Sequence, residues 1–313
     1  MNVPECVNMV VLAGEQAAPN LLPARYFKPQ HIYILHTDFA KSRSMAANLA
    51  LRLKDMNPQL ISIEDYDIDK SRRQILNLIK DLPSVMVNIT GGTKPMSIAA
   101  LEAALQANAQ AFYVRSQGAQ TEIDLYDFDP AGIPFVERSL PLDGAISIED
   151  YLVAYFGDTN QFTGFGTGPG ELFERALHDA LLPIVDEIKV GWKHKSGAVD
   201  VDLIIRCKNQ IGLIEAKTGK KALTTDGIKQ LAVAGGQRFF GTYVKRFLIV
   251  DQEWSEKDNN RNLAEAIGIM PVELPGFAAE KSLTSFEQQK LASAIHGVMG
   301  KPLKLDGIVL REP

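Results

Sequence analysis

Short apolar runs alternate with longer helical patterns through the first half of the chain. Residues 7–13, 31–36, 60–63, 85–89 and 111–114 are apolar runs of strand length. Between the later runs, apolar positions recur at helical spacing over roughly 41–54, 69–80 and 95–107. Strands alternating with helices predict a mainly parallel sheet. Ligands of such sheets bind beyond the carboxyl ends of the strands, where the strand order changes. Three strand ends carry candidate ligand residues: 14–20, 37–44 and 88–96.

The second half follows a stretch rich in turn formers, residues 157–170. The boundaries expected are a first domain over 1–145, a linker over 146–169 and a second domain over 170–313. The fold class expected is α/β in both halves. Phe173, Ala176, Leu177, Ala180 and Leu181 place a helix directly after the linker. Two β-branched runs then flank a polar break, Ala198–Arg206 and Ile211–Lys217 around Cys207–Gln210, which predicts a hairpin. Further strand and helix patterns follow at 245–251 and 227–237, and an amphipathic stretch runs from Phe286 to Val298.

With 207–210 as the turn, Asp202 falls opposite Glu215 and Asp200 opposite Lys217. Directly opposed residues have Cβ atoms about 4.5–5.5 Å apart. Val199, Val201, Leu203 and Ile205 share one face with Ile214 and Ala216, while Ile204 and Leu213 lie on the other. A sheet apolar on both sides is covered on both sides, so the charges belong at its rim. Two readings fit them. One is a salt-bridge ladder joining Asp200 to Lys217; the other is a divalent cation held between Asp202 and Glu215 by oxygen ligands.

At residues 88–96, Asn-Ile-Thr-Gly-Gly-Thr-Lys-Pro-Met, Gly91 and Gly92 permit a tight turn. Thr93 can cap the following helix, and Pro95 near its start removes no needed donor. Free N–H groups there suit phosphate, and Lys94 adds charge. The spacing is neither a Walker A loop nor Gly-x-Gly-x-x-Gly, which argues against ATP hydrolysis and NAD binding. The bland alternative is a structural turn with an exposed lysine.

A length of 313 residues suits two domains. A net charge of −5 argues against a constitutive nucleic-acid coat protein but permits transient binding of a polyanion. Locally, Lys189, Lys193, Lys195, Arg206, Lys208, Lys217, Lys220 and Lys221 gather around the hairpin. Only Cys6 and Cys207 are present, which points to a reducing compartment. No apolar run is long enough to span a membrane, and a cytoplasmic location is expected.

The Asp202 … Glu215-Ala216-Lys217 spacing resembles the PD-(D/E)xK restriction-endonuclease superfamily. Gly170-Glu-Leu-Phe-Glu174 resembles its upstream helix, with Glu174 the better match to the acidic position and Glu171 the fallback. The resemblance implies Mg²⁺ or Mn²⁺ held by Asp202, Glu215 and the Ala216 carbonyl. Asp200 and Glu174 would support the ion, and Lys217 would assist hydrolysis. Ala216 stands where relatives often carry Cys.

Residues 88–96 closely resemble the signature of CARF domains, and residues 12–23 and 28–37 look like the same family. That resemblance implies a Rossmann-like homodimer that senses cyclic oligoadenylates, here the tetramer, in type III CRISPR immunity. Thr37, Asp38, Ser42, Ser44, Asn88, Thr90, Gly91, Gly92, Thr93, Lys94 and Met96 match its ligand loops. Lys94 and the Gly91–Thr93 backbone would hold phosphates, and Asp38 and Asn88 adenine or ribose. The combination implies an activated nuclease cutting single-stranded DNA or RNA, or nicking duplex DNA. The rivals are a ligand-sensing regulator with an inactive nuclease fold and a Rossmann-type nucleotide enzyme.

Overall fold

The computed structural model describes residues 4–117, 120–158, 161–236, 239–241, 243–254 and 259–300, with two short strands at Lys304–Leu305 and Ile308–Val309. The chain divides into two compact units, Met1–Asp158 and Thr159–Pro313, both α/β.

The first unit runs β1 (Asn8–Leu12), α1 (Ala18–Phe27), β2 (His31–His36), α2 (Ala40–Arg52), β3 (Pro58–Ser62), α3 (Ile68–Ile79), β4 (Val85–Asn88), α4 (Lys94–Gln106), β5 (Gln110–Gln117), β6 (Gln120–Phe128), β7 (Pro134–Pro141) and α5 (Ile148–Phe156). The sheet order is β3-β2-β1-β4-β5-β6-β7, parallel as far as β5 and antiparallel beyond it. The chain winds outward from β1 to β3 and then returns to place β4 beside β1. The strand order therefore changes between β1 and β4. All five residues of β1 are buried, as a central strand covered on both faces requires.

Helix α1 is an element the hydrophobic pattern conceals, because Pro19 and Pro23 interrupt it. Pro19 lies in the first turn, where no donor is needed. Pro23 lies inside and cannot donate to the Pro19 carbonyl. That carbonyl instead accepts 2.8 Å from Asn88 Nδ2, at the end of β4. The sheet thus repairs the bond that the second proline breaks.

Residues 148–156, within the segment expected as linker, form α5, which belongs to the first unit and is buried there except at Glu149 and Phe156. A capping box starts this helix. Ser147 Oγ accepts from the Asp150 N–H at 3.0 Å, and Asp150 Oδ2 accepts from the Ser147 N–H at 2.9 Å. Asp150 Oδ1 also accepts from Arg25 Nε (3.1 Å) and Arg52 Nε (2.6 Å). Burial alone would raise the Asp150 pKa, but the Ser147 bonds and the two guanidinium groups hold it below the usual carboxylate range. A depressed acid stabilises the fold above its unfolded-state pKa and loses that contribution as pH falls through the folded-state value. Asp150→Ala removes the helix cap and the carboxylate partner of Arg52, while Arg25 keeps Asp55, and the expected loss is about 1–3 kcal/mol, checked by the urea midpoint at neutral pH.

The second unit runs β8 (Gln161–Phe162), α6 (Glu171–Leu181), β9 (Glu187–Lys193), β10 (Asp200–Cys207), β11 (Gln210–Lys217), α7 (Asp226–Ala234), β12 (Lys245–Val250), α8 (Asn259–Ala266), β13 (Ile269–Glu273), α9 (Gly276–Glu280) and α10 (Ser285–Met299). Its sheet order is β13-β12-β11-β10-β9-β8, with β11, β12 and β13 parallel. The hairpin register is the expected one, from Cys207 opposite Gln210 to Leu203 opposite Ile214. Phe173, Leu177 and Leu181 of α6 and Leu291, Ile295 and Met299 of α10 pack against Leu203, Ile205 and Ile214. Helix α7 packs on β10, β11 and β12.

Candidate active site and ligand cleft

The regular β10–β11 pairing stops at Leu203–Ile214, one step before the two acids. Beyond it, the Ala216 N–H is taken by the side chain of Asp202, 2.7 Å from Oδ2. The neighbouring Lys217 instead bonds toward β12, its carbonyl accepting from the Asp251 N–H at 3.2 Å. Alternate strand residues send their backbone groups to opposite sides, and each residue's N–H and C=O leave together. The Ala216 carbonyl therefore leaves on the Asp202 side, free of β12. Register and strand geometry together bring Asp202, Glu215 and this carbonyl to one rim.

Glu215 is 2% exposed, and Lys217 Nζ donates to its Oε1. Burial raises the Glu215 pKa to about 8; the charge of Asp202 adds to the rise, and Lys217 opposes it. Burial likewise raises Asp202 to about 6, against the Ala216 N–H and Lys217, with Glu174 and Asp200 adding to the rise. For Lys217, burial lowers the pKa, but Glu215, Asp202 and Glu174 together leave it raised. These couplings place Glu174, on the first turn of α6, in the electrostatic neighbourhood of the centre. Its Oε2 accepts from the Gly166 N–H at 3.3 Å. Glu171, the fallback, is engaged with Arg175 at 2.8 Å.

Asp200 does not reach Lys217. It is exposed, lies across from Lys193 on β9, and its carboxylate is 3.8 Å from the Lys193 ammonium. The salt-bridge ladder therefore does not form, because Lys217 turns to Glu215. Among the described residues, no group of three or more His, Cys, Asp or Glu side chains is placed to hold a metal ion. The donor set that fits a hard cation is thus two carboxylates and a carbonyl, those of Asp202, Glu215 and Ala216. Two adjoining acids, Glu215 buried and Asp202 half-buried, both resisting ionisation, are what a divalent ion would relieve. The basic cluster is thinner than its sequence implies. Arg206 is engaged with Glu187 (3.2 Å) and with the Lys208 carbonyl (2.8 Å), whereas Lys189, Lys195, Lys220 and Lys221 are exposed.

In the first unit, a cleft of ≈ 470 Å³ lies at the carboxyl ends of β1 and β4, where the strand order changes. Thr37, Ser42, Gly92, Thr93 and Met96 line it, together with Ala13, Gly14, Glu15, Phe39, Asp65 and Tyr66. Phe39 and Tyr66 are 60% and 75% exposed. Phe39 falls within the strand-end stretch 37–44 but is not itself matched to a ligand role, and Tyr66 lies outside all three stretches. Asp38 lines an adjoining cleft of ≈ 240 Å³ and accepts from Ser62 Oγ at 3.1 Å. Thr93 caps α4, accepting from the Met96 N–H at 3.3 Å. Lys94 and Ser44 are exposed and line neither cleft.

Three expected ligand residues, Asn88, Thr90 and Gly91, line neither cleft and instead tie the end of β4 to its neighbours. Asn88 is fully buried; its Nδ2 donates to the Pro19 carbonyl and to Asn20 Oδ1 (3.0 Å), and its Oδ1 accepts from the Thr90 N–H (3.0 Å). Thr90 Oγ1 accepts from the Val114 N–H at 2.7 Å. A Cβ on Gly91 would overlap the Leu12 carbonyl oxygen, so only glycine permits this closeness.

Residues 8–151 match the family model of the Card1 CARF domain. The first unit carries a CARF domain. Among solved structures, the chain is similar to Can2 from Sulfobacillus thermosulfidooxidans in complex with cyclic tetra-adenylate. That match has a TM-score of 0.70 and 13% identity, covering 93% of this chain and 99% of Can2. Protein VC1899 from Vibrio cholerae matches with TM-score 0.65 and 13% identity over 92% of this chain and 98% of its own. A type III CRISPR defence DNA nuclease activated by cyclic oligoadenylate matches at TM-score 0.59 and 15% identity, over 94% of this chain and 52% of that one. At these identities the likeness is one of fold, and it extends over both units. No match was found among curated proteins. No helix among the described residues is long and apolar enough to cross a membrane.

Proposed function

We propose that this chain is a metal-dependent nuclease of type III CRISPR defence, switched on by cyclic tetra-adenylate bound to its CARF domain. The observation that carries this reading is the Asp202–Glu215–Lys217 apposition on a restriction-endonuclease-like hairpin, in a chain whose first unit is a ligand-sensing fold. The cyclic tetra-adenylate in the Can2 structure and the activator of the DNA nuclease support the choice of ligand. A ligand of two-fold symmetry suits a homodimer with the cleft facing its copy.

Mg²⁺ or Mn²⁺ would be held by Asp202, Glu215 and the Ala216 carbonyl. When bound, the ion supplies Lewis acidity toward the scissile phosphate and acidifies water. Asp202 is kept in place by the Ala216 N–H. Lys217, steadied by Glu215, orients the attacking water and stabilises charge growing on the phosphoryl oxygens. Glu174 adds negative potential from α6. The substrates are single-stranded DNA or RNA, or duplex DNA that is nicked. Activation requires the activator to favour one arrangement of the dimer over another.

The test is cleavage of labelled DNA and RNA oligonucleotides and of supercoiled plasmid with Mn²⁺, with and without cyclic tetra-adenylate. Cutting is expected only with both. Tight activator binding with no cutting of any substrate would instead favour a regulator with an inactive second unit. Lys94→Ala removes an exposed charge at the start of α4. Its affinity for the activator is expected to fall about tenfold with the fold intact, read by calorimetric titration.

A further inference from the structure

The catalytic lysine's backbone and stem are each gripped by a residue that the sequence pattern leaves unremarked. Asp251 follows β12 and is 4% exposed. Its N–H donates to the Lys217 carbonyl at 3.2 Å, and its Oδ1 accepts from the Gly219 N–H at 2.8 Å. One residue thus clamps the chain at Lys217 and again two residues later. Across the stem, α7 presents Gly227. A Cβ at that position would lie 3.2 Å from Lys217 Cγ and 2.6 Å from Leu248 Cδ1. The missing side chain leaves room that Leu248 enters and that the lysine stem borders.

We infer that Asp251 and Gly227 are positioning residues for Lys217, acting on cleavage through its placement and touching no substrate. The inference rests on the nuclease reading and adds to it what holds the ammonium beside Glu215. Asp251 fixes the backbone from which the side chain springs. Gly227 lets α7 lie close enough to confine the stem to one path. Oδ1 of Asp251 accepts from both the Gly219 N–H and Gln252 Nε2 (3.2 Å), the role of a brace.

The test compares Asp251→Ala, Asp251→Asn and Gly227→Ala with the wild type and Lys217→Met under cyclic tetra-adenylate and Mn²⁺. Asparagine keeps an oxygen acceptor for the Gly219 N–H, and alanine does not. The expected result is a kcat lowered about 10–100-fold in Asp251→Ala and Gly227→Ala, with KM and activator affinity within about twofold of wild type. Asp251→Asn is expected to restore kcat to within about twofold. If Asp251→Ala fails to fold, Gly227→Ala carries the comparison, since Leu248 can rotate to admit a methyl group. Wild-type kcat in a folded Gly227→Ala, or a loss confined to KM, overturns the inference while a dead Lys217→Met leaves the nuclease reading standing. A wild-type protein that cuts nothing overturns both.

Discussion

Lys217→Met is expected to lower activator-dependent cleavage about 10²–10³-fold while the protein still folds and binds cyclic tetra-adenylate with unchanged affinity. The reasoning separates the stem from the charge. The stem is confined beside Gly227, and methionine fills much the same volume there, so packing is retained. The ammonium contacts Glu215 in a group that is 2% exposed, where water cannot substitute for it. Removing it deprives the phosphoryl group of a cation and leaves Glu215 and Asp202 without theirs. Arginine is not a conservative replacement, because a planar five-donor fork would stand where a compact ammonium meets Glu215. The measurements are gel-resolved cleavage rates and activator titration. Methionine cutting at the wild-type rate would show that the hairpin charges serve structure alone.

Much of the fold was legible because its strands and helices alternate with distinct periods. The parallel strands, the helices between them and the hairpin register follow from spacing alone, since slipping the hairpin by one residue would turn Leu203, Ile205 and Ile214 away from the face that α6 and α10 cover. The acids at its rim follow from that register. What stayed hidden depends on contacts distant in sequence. Helix α1 is masked by prolines whose cost is met by Asn88, 69 residues beyond the carbonyl it serves. Asn88 itself looks like a ligand residue, a polar group at a strand end, and only burial reveals it as scaffold. Helix α5 reads as linker until Arg25 and Arg52 are seen to meet its cap. Gly227 and Asp251 gain meaning only when α7 and β12 are laid against Lys217. The Asp200–Lys217 ladder fails for a different reason: β9 supplies Lys193 on the other side of Asp200, and no hairpin rule sees the third strand.

Metal and pH are expected to act on the second unit together. Without a divalent ion, Glu215 is raised to about 8 and Asp202 to about 6, both chiefly by burial. Unfolded, the same groups titrate near about 4.3 and 3.9. Acids whose folded-state values are raised bind protons more tightly in the native state. Their contribution is therefore fully present below the unfolded values, and it is lost as pH rises through about 6 and then about 8. The thermal midpoint of the metal-free protein is expected to fall by several degrees between about pH 5.5 and 8.5. On the proposed reading Mn²⁺ would take the place of the protons, so its stabilising effect is expected to grow across that interval and its binding to release protons. Glu215→Gln removes the main source of both trends: its midpoint should vary less with pH, respond little to Mn²⁺, and accompany a loss of cleavage. Scanning calorimetry over pH with and without Mn²⁺ reads the first two. Titration in buffers of different ionisation enthalpy counts the protons. A midpoint that rises with pH in the metal-free wild type, or a Glu215→Gln protein that gains as much from Mn²⁺ as the wild type does, would separate the buried carboxylates from any ion-binding role. Cleavage should follow the same pH interval upward, because the side chains must give up their protons before the ion can enter between them.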